Sequence, residues 1–203
     1  MTEPSADSAA DPPTMRVRWL AWLAAGASEL AWALASIPTE RWTRTPPEPA
    51  QLGAWPPARH VRHQALTETR LIVPAVDAVL DQADPVALPT RAELDQLNAA
   101  WDPAMPVDAV RALLDAIGEA RFSLLQRLEG APDEAWQRPL PAGVAPGETP
   151  AQLDWLLART RQHELEHLSA LWKLALYWDR VSPPTASRVS LPLQPADRLE
   201  ESH

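Results

Sequence analysis

The sequence predicts an all-α protein, a four-helix bundle with long crossover connections. Three observations carry that expectation. Four long runs repeat apolar residues at spacings of three and four, the period of a helix with one buried face. No stretch alternates apolar and polar residues as a half-buried strand would. Proline and glycine gather mainly between the runs, where they punctuate. At 203 residues and 46% hydrophobic content the chain can bury one core and is short for two. Residues 1–13 are polar, acidic and proline-bearing and read as a disordered tail. Residues 14–180 hold the bundle, and 181–203 read as an extended tail.

The first helix follows Met15, with Leu20, Leu23, Ala27, Leu30, Leu34 and Ile37 on one stripe that stops before Pro38. Its basic start and apolar body resemble a secretory leader, but Ser28 and Glu29 interrupt the middle, and a carboxylate is costly in a membrane span. A soluble bundle helix and a cytoplasmic location are the expectation. Residues 38–57 carry six prolines beginning with Pro38 and Pro46 and offer no repeating element. The second helix opens near Pro57, with prolines in its first turn, and runs to about Asp81 with a kink at Pro74. A short helical turn over Arg91 to Asn98, capped by Thr90, comes next. The third helix opens at Pro106 and closes at Gly130, with a seam of Val110, Leu114, Ile117, Arg121, Leu124 and Leu128. Thr149 and Pro150 supply a cap and first position for the fourth, which ends near Arg180.

Charge and cysteine usage exclude several functions. A formal charge of -9 disfavours nucleic-acid binding, which relies on clustered Lys and Arg. The absence of cysteine removes disulfides, thiolate metal sites and cysteine nucleophiles together.

The chemistry-bearing stretch is Arg161 to Leu168. His163 and His167 lie one turn apart on the stripe Leu156, Thr160, His163, His167, Leu171, Leu174 and Trp178, so both imidazoles face the core. Buried ring nitrogens need partners, and a shared divalent cation would satisfy them. A third ligand must come from elsewhere. His60 and His63, on the second helix, are both candidates, and spacing does not choose between them. Arg121 on the third helix needs a carboxylate such as Glu29 or an anionic substrate. Trp32, Trp155 and Trp172 are candidates to line a pocket.

The segment Trp55-Pro56-Pro57-Ala58-Arg59-His60-Val61-Arg62-His63, followed by Glu68, resembles the second-helix signature of the DinB/YfiT-like superfamily, and the later His163-x-x-x-His167-Leu168 resembles its last-helix signature. This helical family is named for damage inducibility and is unrelated to the polymerase of the same name. The resemblance implies a metal triad of His63, His163 and His167, with His60 at the rim or bonded behind a ligand. From their positions, Glu68 either orients a ligand histidine or faces solvent, and Glu164 either bonds behind a ligand or forms a salt bridge. Three neutral imidazoles suit zinc, nickel or another late divalent ion, and the resemblance implies a low-molecular-weight thiol as cosubstrate.

Three readings of function follow. The first is a metal-dependent transferase or hydrolase that uses a thiol or water against a small electrophilic molecule, without nucleic-acid or membrane partners. The second is a non-catalytic, stress- or damage-associated metal or ligand binder. The third is a zinc peptidase, because His163-Glu164-Leu165-Glu166-His167 satisfies the H-E-x-x-H pattern; the extended form with glycine and a third histidine is absent downstream. Pairing into a homodimer through an exposed apolar helix face is compatible with all three.

Overall fold

The computed structural model describes residues 12–81, 88–141, 144 and 151–181. Among them the chain is helical and no strand occurs. The elements are α1 (Pro12–Ala35), a 3₁₀ turn (Thr39–Arg41), α2 (Pro49–Leu52), α3 (Pro57–Thr67), a π segment (Glu68–Ile72), α4 (Val73–Asp81), α5 (Arg91–Ala99), α6 (Val107–Glu129), α7 (Asp133–Trp136) and α8 (Leu153–Val181). The long members close a ring in which α1 lies against α8 and α6, and α3 lies against α6 and α8. No helix among the described residues is long and apolar enough to cross a membrane.

The ends of these helices follow local chemistry. Thr90 caps α5 through a reciprocal capping box with Glu93. Pro106 stands just outside α6 with extended backbone rather than opening it. Gly130 ends α6 in right-handed helical geometry, so the left-handed freedom of glycine is not used there. The expected cap at Thr149 and Pro150 lies outside the described residues. The helix itself begins at Leu153, because Ala151 is held outside it by a 2.8 Å bond from the Leu140 N–H to its carbonyl.

The sequence predicts a kink at Pro74, and the break takes the form of a π turn just ahead of it. Proline lacks the N–H that would bond back one turn, and its ring crowds the carbonyl there. The wider turn carries Glu68 into the core, where it is 1% exposed.

The region from 38 to 57, which offers no periodicity, is not simply a surface crossing. Trp42 and Leu52 are buried in the main core, and the Trp42 indole donates to the Ile37 carbonyl at 2.9 Å. These contacts seat the turn that leads to Trp55.

The core has two apolar halves. One gathers Leu30, Leu34, Ile37, Val61, Ile117 and Leu171. The other gathers Leu23, Ile72, Val76, Leu124, Leu128 and Leu156. Between them, in sequence on each long element, sits a polar position or a glycine: Gly26 on α1, Glu68 in the π segment, Arg121 on α6 and Glu164 on α8.

Candidate metal centre

That polar layer holds the site's framework in place. Arg121 donates to Glu68 through Nε at 3.1 Å and to Glu164 through Nη1 at 2.6 Å, with all three side chains almost fully buried. Arg161 extends the network, its Nη1 reaching Glu164 at 2.8 Å and Glu29 at 2.6 Å. Burial opposes the charge on Arg121, but the two carboxylates outweigh it and raise its pKa further above the usual range. Burial pushes Glu68 up, and Arg121 opposes this only in part because Glu164 shares the same guanidinium. A Cβ added at Gly26 would fall on Arg121 and Glu164, so the glycine is there to let α1 close over the ion pair. The arginine thus has acidic partners, as expected, but not Glu29: that carboxylate belongs to Arg161. Nor is Arg121, at 2% exposure, open to a substrate.

The histidines cluster where α3 meets α8. His63 Nε2 lies 2.9 Å from His163 Nε2, and His167 Nε2 lies 3.2 Å from the same atom. Ligand nitrogens of the three all fall within 4.8 Å of one another. Nitrogens about 2.05 Å from a tetrahedral zinc ion sit roughly 3.3 Å apart, so the donor set fits a divalent metal in type and spacing. His167 is buried, whereas His63 and His163 are half-buried.

His60 occupies a different place. Its Nδ1 lies 2.9 Å from His167 Nδ1, on the side of that ring away from His163. Burial, aided by the neighbouring positive charge of His63 and Arg59, lowers the His60 pKa to about 4. Burial and the three surrounding imidazoles lower His167 to about 2. Both rings are therefore neutral near pH 7, the form that ligates metal.

Trp55 closes the cluster on one side. Its ring stacks on His167 at 6.1 Å and 19° and lies 5.4 Å from both His60 and His63. Arg59 covers the indole, 4.6 Å from its centroid. Neither residue stands on a periodic stripe that would single it out, and only the tryptophan of the family signature points this way. Trp155 is elsewhere: it packs against the apolar half around Leu156, eight residues and about 12 Å of helix before His163. Trp32, 68% exposed, meets Trp172 edge to face on the outside. His203 lies outside the described residues.

The architecture and donor set define an all-helical protein with a three-imidazole centre between two of its helices. The chain belongs to the DinB superfamily, whose family model matches residues 15–171. No curated protein matches it, and no solved structure does.

Proposed function

We propose that His63, His163 and His167 hold a divalent ion, zinc or nickel, and that the protein is a metal-dependent enzyme acting on a small electrophilic molecule. The observation that carries this reading is the convergence of Nε2 atoms from His63, His163 and His167 at 2.9 and 3.2 Å. Three protein donors leave a position open, and an ion bound there would supply Lewis acidity toward a low-molecular-weight thiol or water.

The remaining residues prepare the site. For His167 to turn an unprotonated Nε2 inward, its Nδ1 must carry the proton and donate to His60 Nδ1. His60 is then an acceptor that fixes the ring's tautomer and angle. Trp55 limits water on one side, and the Arg121 ion pairs hold the π segment and α8 at a fixed separation.

The peptidase reading loses support from Glu164. Its two oxygens are engaged by Arg121 and Arg161, so it is not placed as a general base. A non-catalytic binder would use the same centre and differs only in lacking turnover.

The test is metal content of the purified protein beside a His63→Ala variant, with thiol-dependent loss of an electrophile measured before and after chelation. One equivalent of metal in the parent, none in the variant and chelator-sensitive turnover are expected. Bound metal without turnover would leave the binder, and metal unaffected by His63→Ala would sink the centre as drawn.

A further inference from the structure

The α3 edge of the centre carries positive charge that no carboxylate among the described residues neutralises. Arg59 and Arg62 lie three residues apart on α3, the first stacked on Trp55 and the second next in sequence to His63. This is unexpected in a chain with 27 acidic against 18 basic residues. Other arginines at helix junctions find carboxylates: Arg16 meets Asp133, Arg41 meets Asp179, and Arg127 meets Asp77 and Asp81. Among the described residues no such ion pair forms for Arg59 or Arg62, and as like charges three residues apart on one helix they repel.

Arg59 retains most of its hydrogen-bonding capacity. Among the described residues its one bond is a long one, 3.5 Å from Nη2 to the Asn98 carbonyl, and its Nε is shut off from solvent without a hydrogen-bond partner. Stacking on an indole occupies the face of a guanidinium and leaves its N–H edge available. That edge matches the paired oxygens of a carboxylate or phosphate. An anion that met the terminal N–H groups of this guanidinium would gain charge-assisted bonds and relieve the repulsion between the two arginines.

We infer that Arg59 and Arg62 form an anion subsite beside the three-histidine centre, and that the small molecule acted on there carries a carboxylate or phosphate group docked against them. The inference rests on the metal-centre reading for what happens at the other end of that molecule, but anion binding itself requires no metal. The Arg59 guanidinium lies 4.6 Å from the same indole that His60 and His63 approach to 5.4 Å, and Arg62 adjoins His63 in sequence, so the arginines and the imidazoles lie within the reach of one small ligand.

The test uses the full-length, chelator-treated protein, titrated separately with succinate and with inorganic phosphate at low salt, and followed by calorimetry and by ¹H–¹⁵N spectra. At least one anion should bind saturably and move the Trp55 indole N–H signal, and the tighter of the two names the docked group. Arg59→Gln with Arg62→Gln should weaken binding at least tenfold, whereas Arg70→Gln, an exposed change, should alter it less than twofold. Saturable binding by neither anion, or binding that survives the double substitution, would overturn the subsite. His63→Ala should keep anion binding while losing metal, so the two readings fail separately.

Discussion

The polar layer and the histidine cluster are built on the same elements, yet they handle burial in opposite ways. In the layer, unlike charges meet: Arg121 lies between Glu68 and Glu164, and Arg161 joins Glu164 to Glu29. Its members answer one another, so nothing further needs to bind. In the cluster like meets like, with imidazole nitrogens facing imidazole nitrogens at 2.9 and 3.2 Å. Each such contact has room for one proton between two lone pairs, and the inward-facing set is better matched by a cation than by itself. Adjacent residues divide the two tasks: Glu164 is architecture, while His163 is a candidate ligand.

The largest expected effect comes from unbalancing the layer. Arg121→Ala would leave two buried carboxylates without a counter-charge, a loss of about 3–5 kcal/mol of stability. Replacing Arg121, Glu68 and Glu164 together by apolar residues of similar volume should restore most of it. Denaturant unfolding of the single and triple variants checks this. A single variant as stable as the parent would mean the network is not closed as described.

Acid should affect the other region next. An unfolded histidine titrates near 6.5, whereas the buried rings of His60 and His167 titrate near 4 and 2. Below pH 6.5 the unfolded chain takes up protons that the folded, metal-free chain refuses, so stability falls as pH falls. The slope approaches about 1.4 kcal/mol per pH unit for each ring, and from pH 6.5 to 5.5 the pair should cost about 2 kcal/mol. Thermal melts of chelated protein across that interval test it. His60→Phe should flatten the dependence, and a profile unchanged by that substitution would remove the ring from the account.

Much of this was legible in the sequence where period and chemistry coincide. The α6 seam and the α8 stripe follow from spacing, because a single helix carries its own register. The polar layer was not legible as a layer. Glu68, Arg121, Glu164 and Gly26 come from four separated segments, and only packing brings them to one level. Gly26 in particular sits among alanines and looks like a mere gap in the first helix, whereas its role depends on two side chains 95 and 138 positions away. Trp42 and Leu52 were hidden for a related reason: loop residues have no period, so their burial depends on what the loop crosses. On α3, spacing could not separate His60 from His63, since both face inward. What separates them is the nitrogen each one meets, His63 facing His163 Nε2 and His60 facing His167 Nδ1, a matter of ring rotation beyond any pattern of residues.

That distinction sets the last and smallest prediction. If His60 acts only by accepting from His167 Nδ1, removing it should leave all three candidate ligands in place and lower metal affinity without abolishing it. Loss of such an orienting partner typically costs 10–100-fold in affinity. Competition against a chromophoric chelator would measure it, with His60→Phe expected in that range and His60→Asn, whose side-chain oxygen can accept the same bond, closer to the parent. The asparagine comparison separates orientation from packing, because both variants remove the imidazole but only one offers an acceptor. Equal losses in the two would assign His60 to filling space, and total loss of metal in both would make it a ligand instead.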